Sequence, residues 1–194
     1  ASRATTSVNE GLRSYMLAVY NYMSAALAIT GVCAFGVASS PALMNLIFGT
    51  PLAYVVMFAP LAMIFFVMPR ISHMSVSNAQ FTFWSFAAIM GVSLASIFVM
   101  YTSLSIARVF FITASVFGAM SLYGYTTKKD LSSWGSFLIM GLVGVIIASV
   151  ANIFMQSPAI YFAVSIIGVF IFIGLTAYDT QRIKETYYQV AGNS

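Results

Sequence analysis

Apolar residues fill this chain in runs of about twenty, separated by short polar breaks. Inside the runs polar and apolar positions do not alternate. A helix needs ~20 apolar residues to cross a bilayer, whereas a barrel strand needs about ten with period-two polarity. The pattern therefore predicts helices, and six spans can be drawn. They run from Ser14 to Ala38, Pro51 to Met68, Ala79 to Tyr101, Ile106 to Tyr125, Trp134 to Phe154, and Ala159 to about Tyr188. The first stops before Ser39-Ser40-Pro41, the second at Pro69-Arg70, and the sixth ends in polar turns.

The breaks are short. Gln156-Ser-Pro158 leaves room for little more than a turn, so spans five and six form a tight helical hairpin. Pro60 falls inside span two, where a missing N–H is expected to kink the helix. Small residues four apart allow helix backbones to approach closely. Ala34-x-x-x-Ala38, Gly91-x-x-x-Ala95 and Ala114-x-x-x-Gly118 have this spacing, and Gly141 and Gly144 are read the same way in span five. Asn152, with Asn21 and Gln156, is expected to join helices by hydrogen bonds. The organisation is a tail over 1–13, one transmembrane domain over 14–188 and a polar stub over 189–194. The fold class is all-α, a polytopic membrane helical bundle.

Composition agrees with a lipid solvent. Only 6% of residues are charged and 61% are hydrophobic, against roughly 25% charged in a soluble domain. Only helices and closed barrels satisfy every backbone group in lipid. The net charge of +4 is spread singly or in pairs between apolar runs, so nucleic acid is not an expected partner. With the N-terminus inside, Arg3, Arg13, Arg70, Lys128, Lys129, Arg182 and Lys184 lie on the cytoplasmic side and Arg108 on the other. The positive-inside rule selects that orientation. Cys33 is the one cysteine and reads as an inert thiol. The chain begins without Met and closes on Val190-Ala-Gly-Asn-Ser194, so both ends are expected to be cut.

Catalytic chemistry finds little to work with. His73 is the one histidine, in a loop with no acid beside it, and no phosphate-binding or dinucleotide loop follows a strand. Neither an enzyme nor a resident cofactor is expected. What remains is Asp179, the one acidic residue in an otherwise uncharged apolar segment; Glu10, Asp130 and Glu185 fall in loops or tails. A carboxylate on a membrane helix is kept mainly where it meets a partner, a proton or a cation. Thr176, Asp179, Thr180 and Ile183 share a face by helical spacing. Carboxylate and hydroxyl oxygens suit a hard cation such as Ca²⁺. An ordinary surface pair with Arg182, three residues on, is the plainer account.

Several runs resemble one family. Ser121-Leu-Tyr-Gly-Tyr-Thr-Thr-Lys-Lys-Asp-Leu-Ser132, Gly135-Ser-Phe-Leu138, Asn152-Ile-Phe154 and Tyr178-Asp-Thr-Gln-Arg-Ile-Lys184 resemble the Bax inhibitor-1, or transmembrane Bax inhibitor motif, family. Val19-Tyr-Asn-Tyr-Met23 and Thr30-Gly31 resemble its first helix, and the short Thr-Thr-Lys-Lys-Asp loop resembles bacterial members. The resemblance implies a seven-helix membrane domain with the last helix central. It implies a pH-sensitive Ca²⁺ leak channel gated by two proton-sharing aspartates, one on helix six and one on helix seven. Asp179 matches the first; the second has no counterpart in this chain, which ends before a seventh helix. Arg70 matches a contacting arginine only with a register shift of one. The same resemblance implies a non-conducting alternative, a regulator of partner membrane proteins in cell-death or protease control. The expected partners are the lipid bilayer, Ca²⁺, protons and other membrane proteins, and the expected location is a bacterial inner membrane.

Overall fold

The computed structural model describes the backbone of residues 2–192 and the side chains of residues 10–191. The helices are α1 (Ser2–Ala38), α2 (Pro41–Phe48), α3 (Leu52–Ala62), α4 (Val76–Leu94), α5 (Ile97–Met100), α6 (Ser103–Thr126), α7 (Ser132–Met155) and α8 (Pro158–Gly192). No strand occurs among the described residues. Among the described residues six stretches are long and apolar enough to cross a membrane: Glu10–Ala38, Leu52–His73, Val76–Met100, Ser103–Thr126, Ser132–Met155 and Pro158–Ala191. These are the six spans expected from the sequence. Phe111, Ile147, Phe154 and Phe170 are exposed along them, as lipid permits. The stretches read as a tail and a stub are helical where described: α1 begins at Ser2 and α8 continues to Gly192.

The chain divides into two compact units, Leu17–Val109 and Ala1–Met16 with Phe110–Ser194. In the first unit, α1 meets α4 at small residues. Thr30 Oγ1 donates to the Ala87 carbonyl at 2.8 Å. A Cβ at Gly91 would stand 2.7 Å from the Cys33 Cβ and closer still to the Thr30 carbonyl. Ala34 and Ala95 are buried. Two of the three small-residue pairs thus contribute to packing; Ala114 and Gly118 are exposed. The connection after α1 holds an unexpected helix, α2. Ser40 caps it by accepting from the Leu43 N–H at 3.4 Å, and Pro41 occupies the first turn, where a missing N–H is harmless.

Span two is the least regular. Pro60 is buried in α3 and donates no N–H. Just beyond it the helix widens into a π-turn, Met63–Val67, in which the Met68 N–H reaches the Met63 carbonyl. A 3₁₀ segment, Met68–His73, then carries the chain through Pro69 to Arg70. The kink expected at Pro60 is thus taken up as a change of helix type. Span three is likewise broken, with α4 ending at Leu94 and α5 resuming at Ile97.

The second unit is built on the α7–α8 hairpin. Gln156 closes α7 in the left-handed region at φ 49°, and its N–H reaches the Asn152 carbonyl. The Asn152 side chain accepts from the Ser157 N–H at 2.9 Å. It serves the hairpin turn rather than a distant helix. Along the antiparallel pair four larger side chains each lie over a glycine of the other helix. Tyr178 covers Gly135 and Ile171 covers Gly141; Leu138 covers Gly174 at 2.8 Å from a built Cβ, and Val145 covers Gly168 at 3.9 Å. Gly144, grouped with Gly141 by sequence, faces open space. On α6, Gly124 lies against the Ala177 carbonyl.

Two polar side chains of α8 fasten the rest of this unit. Gln181 is buried. Its Oε1 accepts from the Leu131 N–H at 2.9 Å and its Nε2 donates to the Lys129 carbonyl at 2.8 Å. Lys184 donates to the Tyr125 carbonyl at 2.8 Å, with its Nζ 5.7 Å above the Tyr125 ring. A cation there answers the free carbonyls of the last turn of α6.

Two outcomes follow. Gly124→Leu drives a side chain into a backbone carbonyl that has no room to yield. It should lose ~1–3 kcal/mol and lower the melting temperature in detergent by roughly 5 °C. Gly144→Leu should leave it unchanged, and an equal drop in both would refute the packing. Gln181→Leu strands one N–H and one carbonyl in the 127–131 loop. Trypsin should then cleave after Lys128 and Lys129 several-fold faster, with slower change at Arg182.

Candidate functional site

The stretch from Thr176 to Gln181 is where a polar run enters the apolar length of α8. Its packing is set by neighbours of alternating size. Ala177 is small enough to take Gly124 against its carbonyl, and Tyr178 lies over Gly135. These contacts define the inward side of α8 at this level. Ala177, Thr180 and Gln181 are buried on it.

Asp179 is not on that side. It is exposed, and so is Arg182 three residues on. The polar face expected from spacing is therefore divided: Thr180 packs inward while Asp179 points away from the packed side. Each threonine hydroxyl is turned to its own helix. Thr176 Oγ1 donates to the Phe172 carbonyl at 2.8 Å, and Thr180 Oγ1 to the Thr176 carbonyl at 2.9 Å. Such back-bonding is the ordinary way a hydroxyl is satisfied in apolar surroundings.

Arg70 belongs to the other unit. It is exposed in the 3₁₀ segment, and its guanidinium donates to the Phe66 carbonyl. Asp130 lies in the α6–α7 loop, as expected, and is exposed. It accepts from the Ser132 N–H at 2.8 Å. The Ser132 hydroxyl and N–H together hold its carboxyl below the usual carboxylate range. Among the described residues no three His, Cys, Asp or Glu side chains gather as a metal site. A cation at Asp179 would thus rely on one carboxylate and on backbone, hydroxyl or water oxygens.

Gln181 is the residue that sequence reasoning passed over. It is two positions from Asp179, and it fixes the α6–α7 loop to the same helical turn. Its partners are backbone groups some fifty residues away, so no side-chain pattern announces them. The available hint was an uncharged amide between Asp179 and Arg182, able both to donate and to accept.

Known proteins place this arrangement. A family model described as inhibitor of apoptosis-promoting Bax1 matches residues 12–193. A protein of Rickettsia prowazekii is 50% identical over 97% of this chain and 81% of its own length. One from Caulobacter vibrioides is 45% identical, over 100% of this chain and 81% of its own. The inner membrane protein YbhL of Escherichia coli is 42% identical, over 93% of this chain and 77% of its own. No solved structure matches the chain. With the family model covering nearly all of its length and these relatives running alongside it, the chain belongs to the Bax inhibitor-1 family of multi-pass membrane proteins.

Proposed function

We propose that the protein is a cation leak pathway, with Ca²⁺ as its ion, whose conductance is set by protonation at Asp179. It carries out no catalysis and holds no resident cofactor. The observation that carries this reading is the exposure of Asp179 beside the buried Thr180 and Gln181. The helix is held rigidly on one side and offers a carboxylate on the other. A carboxylate in a membrane helix is disfavoured unless it meets a proton, a cation or a partner. Hard cations favour carboxylate oxygen. The family resemblance implies a second, proton-sharing carboxylate on a seventh helix. Two close carboxylates do not both stay ionised cheaply, so the pair titrates as a unit. Neutralised, it binds cations weakly; ionised, it attracts them.

The inner-membrane relative and the excess of Lys and Arg in alternate connections support a bacterial inner membrane with the N-terminus in the cytoplasm. The second reading is a non-conducting regulator of membrane partners. The exposed Ala114 and Gly118, with open space beside Gly118, favour it.

Ca²⁺ flux into proteoliposomes separates the two. Across roughly pH 6 to 8, wild type should conduct better as pH rises, since a coupled pair loses its shared proton as a unit. Asp179→Asn should give a flat profile. Identical pH profiles for the two proteins would rule out the channel reading. Gly118→Leu should leave flux intact, and abolish effects on partner proteins if the second reading holds.

A further inference from the structure

A cavity of about 320 Å³ lies where the end of α6, the 127–131 loop, the start of α7 and α8 come together. Met120, Leu138, Tyr178 and Trp134 give it apolar and aromatic walls, and Lys129 and Asp130 line it as well. It sits at the ends of two spans, Thr126 closing one and Ser132 opening the next. That is the depth of lipid headgroups in a bilayer. Trp134 is 62% exposed there, the position indole rings favour at a membrane–water boundary.

The backbone that carries the two charges is held in place. The Lys129 carbonyl and the Leu131 N–H are both bound by Gln181, and Asp130 is tied to the Ser132 N–H. The loop therefore presents a cation and an anion side by side on a fixed backbone. The Ser132 hydrogen bonds also keep Asp130 ionised. A fixed plus–minus pair over an apolar hollow complements a zwitterion with an apolar continuation. A phosphate fits Lys129 and a primary ammonium fits Asp130, while the glycerol and first acyl carbons fit Met120, Leu138 and the rings. The remaining acyl length needs no pocket, because the bilayer solvates it. A lipid with phosphate but no amine would meet Lys129 and leave Asp130 opposed by like charge.

We infer that this cavity binds the headgroup end of a zwitterionic aminophospholipid, with its phosphate on Lys129 and its ammonium on Asp130. The site is separate from ion conduction and is read without a transport assay. Native mass spectrometry of the full chain in detergent should be run with equimolar phosphatidylethanolamine and phosphatidylglycerol of matched acyl chains. Wild type should retain the ethanolamine lipid preferentially. Asp130→Asn keeps an oxygen for the Ser132 N–H and should cut that preference about two- to fivefold, the range of an exposed ion pair. Lys129→Gln should weaken both lipids. Both side chains are exposed, so melting temperatures should stay at the wild-type value. Soluble glycerophosphoethanolamine should fail to displace the lipid, since it lacks the apolar part. Equal retention of the two lipids by wild type, an unchanged preference in Asp130→Asn, or displacement by the soluble headgroup would each overturn the inference.

Discussion

Helices in lipid gain nothing by hiding apolar surface from one another, because the acyl chains are as apolar as leucine. What holds them together is contact, and contact requires that backbones come near. In the α7–α8 hairpin this is met by seating larger side chains on glycines of the facing helix: Tyr178 over Gly135, Leu138 over Gly174, Ile171 over Gly141. The glycines alternate between the two helices, so neither is smooth along its length and sliding is blocked in both directions. From this pairing follows the direction of everything else on α8. With Tyr178 held on Gly135, Gln181 is brought to the loop and Lys184 to the end of α6.

Polar groups in such surroundings are settled mostly by the backbone. Gln181 bonds two main-chain groups, Asn152 bonds the Ser157 N–H, and Thr30, Thr176 and Thr180 each bond a carbonyl. Backbone partners are always at hand in helices, and they need no second polar side chain to be buried. Ser121 departs from the pattern: its buried Oγ has no hydrogen-bond partner among the described residues. Asp179 departs in the other sense. Its charge is left on the exposed side, where Arg182 of the same helix is its electrostatic partner.

The spans were legible because length and apolarity alone decide whether a helix can cross a bilayer. The Gln156-Ser-Pro158 turn was legible because two helices with so short a join have no other arrangement. Asp179 was legible by rarity. Its exposure was foreshadowed by the surface pairing with Arg182, but its separation from the buried Thr180 was not legible, since the two sit near each other on a helical wheel and only the packing of Tyr178 on Gly135 sorts them. Helix α2 was hidden although Ser40-Pro41 is a good start signal, because the same residues also serve to stop α1. The break at Ala95 and the π-turn after Pro60 arise from how neighbouring residues are accommodated, and their sequences remain uniformly apolar. Gly141 and Gly144 look alike in the chain; only a neighbour on one side tells them apart.

The wide turn at Met63–Val67 changes how the C-terminal end of span two must be counted. A π-turn houses one residue more than the α-helix it interrupts. The 3₁₀ segment that follows winds more tightly, so angular position is not carried over from one side of the turn to the other. A residue beyond Val67 therefore cannot be assigned to a face by stepping in threes and fours from Leu52. Comparing this chain with its relatives by residue number will misplace Pro69 and Arg70 by a fraction of a turn wherever a relative lacks the same widening. For this span, equivalence has to be drawn in space and not along the string of letters.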